Sequence, residues 1–340
     1  MSSRAGSDLL TLPIDCVQVK QDAEGEYLRD VSPRHRVWDT HRGEADDVAE
    51  IFAGSLSSQH QHYAERIAGC AQVLEFARDR PTGKLKLANV WFCRVRSCPV
   101  CQWRRSVMWQ ARVYYALPRL VADHPDTRFL FLTLTVKNCH ITELRQTLID
   151  MAHGWKRMSE VKTFPAVGWV RSVEITRSPR DRSAHPHYHC LLMVPPTYFK
   201  GDYLRQSDWA ELWKQSLRIS YKPVVDVRVV RPERRLASGR VVPTSWNMWG
   251  AVVEVLKYAV KPSDMVRDPE WFLQLVDQIH KTRAVAVGGI LKKYKKYIRE
   301  KEKEDLTIEP GEEPLVEEWE RLFFQWKQIV RKYRKTGPKL

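Results

Sequence analysis

Apolar positions recur along this chain at two different intervals, and the switch from one to the other marks out its elements. Over residues 102–122, 141–159 and 205–219 they return every three or four positions, the interval of a helix with one buried face. Over 128–136, 168–176, 186–194 and 224–231 they form short β-branched and aromatic runs bounded by turn residues, which predicts strands. The resulting order, β-α-β-β-α-β, predicts an α+β chain with a ferredoxin-like antiparallel sheet and helices on one face. Residues 45–78 include helical stretches, and 1–34 show little periodicity. Beyond Pro262 the chain reads as helical and charged, and its tail from Trp319 to Arg334, mixing aromatic and basic residues, is read as helix as well. The expected division is a variable segment 1–34, a helical Cys-rich module 35–122, a core 123–264 and a charged helical C-terminal region 265–340.

Two segments of the core carry chemistry. His185-Pro186-His187-Tyr188-His189 opens the strand that continues as Cys190-Leu191-Leu192-Met193-Val194. Side chains on a strand alternate faces, so His185, His187 and His189 point one way. Imidazoles aimed at one point form a divalent-cation site, and each further ligand on the same face weakens the alternative of plain surface histidines. Glu174, on the preceding predicted strand, is the first choice for an oxygen ligand, with His185 the competitor for the third place; a mixed nitrogen and oxygen set suits Mg²⁺ or Mn²⁺. The second segment is a predicted helix from Trp246 to Val260, stopped by Pro262. Glu254, Tyr258 and Lys261 then share a face at i, i+4 and i+7. A tyrosine is a poor nucleophile near neutral pH, but a metal on a phosphate and a nearby lysine stabilise its phenolate, and a carboxylate one turn away activates a second nucleophile. Taken by itself, the same helix also fits a packed tyrosine beside an ordinary surface ion pair.

The cysteines change the picture ahead of the core. Seven of them, with no basic and apolar secretion signal at the N-terminus, argue against a disulfide framework. Cys93, Cys98 and Cys101 stand in a C-x4-C-x2-C pattern, and Cys70 supplies a fourth thiolate for a tetrahedral zinc site. Beside them Arg104 and Arg105 are candidate phosphate contacts, and Trp103 and Trp109 are candidates for stacking on bases or for packing in a helix face. The 340 residues include 56 Lys and Arg against 41 Asp and Glu, a formal charge of +15, which favours a polyanionic partner. No apolar run approaches the ~18 residues of a membrane span, so a cytoplasmic protein without a membrane partner is expected. No phosphate-binding Gly-rich loop is present, so ATP-driven unwinding would need another protein.

Three blocks in order, Phe131-Leu132-Thr133-Leu134-Thr135, His185-Pro186-His187-Tyr188-His189-Cys190-Leu191-Leu192 and Glu254-Val255-Leu256-Lys257-Tyr258-Ala259-Val260-Lys261, resemble the three motifs of the replication initiators of rolling-circle plasmids, within the HUH endonuclease superfamily. Trp38-Asp39-Thr40-His41-Arg42, the segment from Phe92 to Ser106 around the cysteines, and Val287-Gly288-Gly289-Ile290 resemble further blocks of that family, so the likeness runs over roughly residues 35 to 298. The resemblance implies that Tyr258 attacks the origin phosphodiester and forms a 5′-phosphotyrosine, that His187 and His189 bind the metal, and that Glu254 promotes the terminating cleavage by water. One tyrosine in this segment places the chain on the single-tyrosine branch. It also implies single- and double-stranded plasmid origin DNA, a host helicase and a DNA polymerase as partners, with self-association an open expectation. The alternatives are an HUH transposase or relaxase, with the same nick-and-join chemistry, and a non-enzymatic zinc-containing regulator that binds DNA. A regulator leaves the histidines and the Glu254 and Tyr258 pair without a role.

Overall fold

The structure is a computed structural model and describes residues 26–230, 234–235, 241–242, 248–257, 260, 262–294, 305–311, 316 and 318–337. It begins with a single turn α1 (Leu28–Val31), helices α2 (Arg36–Ala53) and α3 (Ser58–Gly69), a hairpin of β1 (Val73–Arg78) and β2 (Leu85–Val90), and the long helix α4 (Pro99–Asp123). Next come β3 (Arg128–Thr135), α5 (Leu144–Glu160), β4 (Gly168–Arg177), β5 (Ala184–Val194), α6 (Gln206–Leu217) and β6 (Val225–Val230). After these lie a short pair, β7 (Arg234–Arg235) and β8 (Val241–Val242), then α7 (Met248–Val255), α8 (Pro262–Arg267), α9 (Pro269–Ile279), β9 (Val285–Gly289), β10 (Glu320–Lys327) and β11 (Lys332–Thr336). The chain is α+β, and its sheets are antiparallel.

The larger sheet runs in the order β6-β3-β5-β4-β9, with β5 and its histidines in the centre. Alternation along the strands divides its side chains between two cores. Leu130, Leu132, Cys190 and Leu192 face α5 and α6, where Trp155, Trp209 and Trp213 are buried. Phe129, Phe131, Leu191 and Met193 face the other way, against Leu120 of α4 and Val252 and Val255 of α7. His187 and His189 share the parity of Leu191 and Met193. They therefore sit on the side that α7 covers.

Strand β9 lies in a stretch that the sequence pattern reads as charged helix. Its close approach to β4 needs two glycines: a Cβ on Gly288 would stand 2.1 Å from the Trp169 ring, and one on Gly289, where φ is +59°, 2.2 Å from the Val167 carbonyl oxygen.

The C-terminal tail is also corrected from helix to strand. Leu322, Phe324 and Trp326 are buried and their neighbours are more exposed, a period of two that fits a strand and not a helix. In the smaller sheet, of order β11-β10-β1-β2, strand β10 pairs with β1 and so joins the two ends of the described chain. Strand β1 closes the 45–78 stretch, which was read as including helices, and β2 follows it.

Candidate active site and metal centres

The register of β4 against β5 sets Glu174 directly opposite His187. One oxygen of Glu174, Oε2, lies 3.1 Å from His187 Nε2 and 2.8 Å from His189 Nε2. Ligands side by side on an ion with bonds near 2.1 Å stand about 3 Å apart, so these separations suit a small divalent ion. The hydrogen bonding favours one as well. His187 Nδ1 faces the His185 carbonyl oxygen at 3.3 Å, so both ring nitrogens of His187 face acceptors, and a neutral imidazole has one N–H to offer them. A cation shared by Nε2 and the carboxylate removes that conflict. Thr133 Oγ1, 3.3 Å from His189 Nδ1, orients the second ring. His185 stands one step further along the same face, with its ring 5.3 Å from that of His187, outside the group formed by Glu174, His187 and His189.

A third donor reaches the same carboxylate. Lys257 Nζ is 3.4 Å from Glu174 Oε2 and also donates to Glu254 Oε1. Burial alone would raise the Glu174 carboxyl, but hydrogen bonds from the two histidines and the Lys257 charge hold it well below the ordinary carboxylate range. Sequence reasoning missed Lys257, because a helix-face argument built on Glu254 and Tyr258 leaves it aside. The i, i+3 interval from Glu254 was the available signal.

Helix α7 ends at Val255, short of the helix expected to reach Val260. At this end Ser172 Oγ donates to the Val255 carbonyl and Ser106 Oγ to that of Leu256, so side chains of β4 and α4 hold the two carbonyls. The expected sharing of one helix face by Glu254, Tyr258 and Lys261 runs to residues past that point. Tyr258 and Lys261 themselves lie outside the described residues.

The four cysteines come together as expected. Cys70 Sγ is 3.6 Å from Cys101 Sγ and 3.7 Å from Cys98 Sγ, and Cys93 Sγ is 3.6 Å from Cys101 Sγ. A tetrahedron of thiolates with Zn–S near 2.3 Å has edges of about 3.8 Å, which these distances match. All four are buried. Cys70 reaches the others because Arg42, in the block beginning at Trp38, donates to the carbonyls of Ile67 (2.9 Å) and Ala68 (3.2 Å) at the end of α3. Cys98 caps the start of α4, and Cys101 lies in its first turn.

Arg104 is not available to a phosphate. It is fully buried, and its guanidinium donates to the carbonyls of Leu306 and Thr307 and to Glu309 Oε1 at 2.6 Å, so it anchors the 305–311 segment onto α4. Arg105, on the next position round the helix, is half-buried and donates to Arg94 O and Val95 O. Trp103 packs edge-on against Trp38, with ring centroids 4.8 Å apart. Trp109 lines a cavity next to Lys257.

An antiparallel α+β fold with a Glu-His-His group and a separate four-cysteine cluster defines a protein able to hold metal ions at two places. The family model described as "Replication protein" matches residues 84–334. Among the relatives, "Protein rep" of Lactiplantibacillus plantarum is 36% identical over 247 residues, covering 69% of this chain and 75% of that protein. "Protein rep" of Bacillus amyloliquefaciens is 34% identical over 249 residues (68% and 72%), and that of Lentilactobacillus hilgardii 32% over 286 residues (81% and 87%). The chain belongs to the replication protein family and is a replication initiator of the plasmid Rep type. No solved structure gives a significant match. Among the described residues no helix is long and apolar enough to cross a membrane.

Proposed function

We propose that this chain starts rolling-circle replication by nicking and rejoining single-stranded origin DNA through Tyr258, in the manner of single-tyrosine HUH endonucleases. The observation that carries this reading is Lys257: the residue next to the tyrosine reaches Glu174 Oε2, the oxygen on which His187 and His189 converge. The chain order of β3, α5, β4, β5, α6 and β6, with the four strands side by side as β6-β3-β5-β4, supports a ferredoxin-like core. Relatives named as replication proteins favour an initiator over a transposase or relaxase, and the Glu-His-His group gives a non-enzymatic regulator nothing to do.

Glu174, His187 and His189 would hold Mg²⁺ or Mn²⁺, and the four cysteines zinc. The divalent ion, when bound, supplies Lewis-acid polarisation of the scissile phosphate. The Tyr258 oxygen attacks phosphorus, the bond from phosphorus to the 3′-oxygen breaks, and the proton lost by the phenol balances the one gained by the released 3′-OH. Lys257 and Lys261 place positive charge beside the tyrosine, offsetting the charge of the phenolate and of the crowded phosphorus. Glu254 activates the water that ends a round. The 3′-OH primes a host polymerase, and a host helicase opens the duplex.

Incubation with a single-stranded origin oligonucleotide and Mn²⁺, followed by denaturing electrophoresis, tests the reading. Cleavage with a covalent protein adduct is expected, lost in Tyr258→Phe, His187→Ala, His189→Ala and excess chelator. Intact DNA from the unsubstituted protein, or full cleavage by Tyr258→Phe, would sink it. Glu254→Gln should still form the adduct but accumulate over-length single strands, because termination lacks its base. Unit-length circles from that variant would remove the role of Glu254 alone.

A further inference from the structure

The smaller sheet buries one face and turns the other outward. Leu74, Phe76, Phe324 and Trp326 are buried, so by alternation Glu75, Phe323, Lys327, Lys332 and Arg334 stand on the opposite face, where none of them is buried. Lys327 and Lys332 are direct cross-strand partners at the end of the hairpin of β10 and β11. Like charges opposite one another destabilise a sheet. Among the described residues neither lysine has an ion-pair partner: Lys327 Nζ donates to Gln325 Oε1 at 3.1 Å, and Lys332 Nζ lies 5.0 Å from the centre of the Tyr27 ring. Arg334 adds its charge beside them, and the one carboxylate at the outward positions of these strands, Glu75, is taken by Arg321 at 3.3 Å. Further along the same face, Phe323, Asn89 and Trp91 line a groove of about 490 Å³. Trp91 is 57% exposed. Its position is nevertheless fixed, because its carbonyl accepts from the Ala71 N–H at 2.9 Å and its ring lies against Gly69, where a Cβ would come within 3.3 Å of it.

We propose that this outward face binds single-stranded DNA, with bases stacked at Trp91 and Phe323 and phosphates on Lys327 and Lys332. The assignment rests on the reading of the chain as an enzyme acting on single-stranded origin DNA, which supplies a polyanion with unpaired bases. Phosphates relieve the repulsion between the two opposed lysines, and base stacking on aromatic side chains tolerates any sequence. Phe323 and Lys327 lie four residues apart on one strand, about 13 Å, and point the same way, so a single strand of DNA can reach both. A duplex, with its bases stacked inside, offers the Trp91 ring no such partner. The sheet is separate from the one that carries Glu174, His187 and His189, so it grips the strand outside the cleaving site.

The test uses the full chain carrying Tyr258→Phe, so that binding is read without cleavage, and three labelled probes of equal length: a thymidylate oligonucleotide, a strand of abasic deoxyribose phosphates and a duplex. Trp91→Ala should weaken binding of the thymidylate strand by about tenfold and leave the abasic strand and the duplex unchanged. Lys327→Gln with Lys332→Gln should weaken both single strands and lower the salt slope by about 1.4, roughly 0.7 for each phosphate lost. If Trp91→Ala disturbs the nearby cysteines, seen as lost zinc, Phe323→Thr takes its place, since it keeps a strand-forming side chain and should show the same difference between probes. Thymidylate binding unchanged in these variants, or a loss in Trp91→Ala or Phe323→Thr that is equal on the abasic strand or on the duplex, would overturn the proposal. Nicking is measured separately on the unsubstituted protein: no nicking with the probe difference kept overturns the catalytic reading alone, and nicking with the difference absent overturns the sheet proposal alone.

Discussion

The hydroxyl of Ser106 donates to the carbonyl oxygen of Leu256, so the helix that starts in the cysteine cluster holds the end of the helix that leads to Tyr258. Without that hydroxyl the buried carbonyl loses its partner, worth roughly 1–3 kcal/mol. Ser106→Ala should keep its zinc and its fold but nick about tenfold more slowly in a single-turnover assay, with little change in DNA affinity. Ser106→Thr should restore most of the rate. A Ser106→Ala protein that nicks at the parent rate would show that this contact does not position the tyrosine segment.

Zinc removal should act through the same helix. Cys98→Ala or Cys101→Ala is expected to lose about one equivalent of zinc by elemental analysis, to unfold at lower temperature and to bind origin DNA more weakly, because binding energy at a structural site is folding energy. An intact protein containing no zinc would remove this claim and leave the Glu-His-His group untouched.

Arg104 and Arg105 are neighbours in sequence with opposite surroundings. Arg104→Ala leaves Glu309 without its buried partner and should cost about 3–5 kcal/mol of stability, measured by denaturant unfolding. The fraction that remains folded should bind DNA with an unchanged salt slope. Arg105→Ala should do the reverse, with little effect on stability and a salt slope smaller by about one.

His35 gives the fold a defined pH response. Its Nε2 accepts from Arg34 at 3.3 Å and its Nδ1 faces Ser32 Oγ at 2.8 Å, a pattern that fits the neutral ring. Burial first, then the Arg34 charge, lower it to about 4, with Glu309 opposing. An unfolded histidine titrates near 6.5, so below that pH the unfolded chain binds the extra proton and stability falls as pH drops from about 6.5 to about 4. The loss is on the order of 3 kcal/mol. His35→Gln should lack that part of the slope in melting curves taken across the range, and an identical slope would contradict it.

Much of this was legible in the sequence where local pattern and chemistry agree. The strand that carries His187 and His189, the strand of Glu174 and the four cysteines all follow from alternation or ligand spacing, and the structure brings each set together. What stayed hidden depends on distant partners. Leu322, Phe324 and Trp326 alternate at a strand interval, but their pairing with β1 spans most of the chain. The carbonyls of Val255 and Leu256 are held by hydroxyls on Ser172 and Ser106, which no local pattern around Tyr258 announces. Arg104 resembles a DNA contact until the segment from Leu306 to Glu309 folds over it.

The most direct measurement is mass spectrometry of the protein after reaction with an origin oligonucleotide in Mn²⁺, followed by nuclease trimming and proteolysis. The peptide containing Tyr258 should carry a 5′-linked nucleotide on the phenol oxygen, and chelator added before the DNA should abolish it. Cleavage of the oligonucleotide with Tyr258 unmodified, or the nucleotide found on another residue, would contradict the central claim.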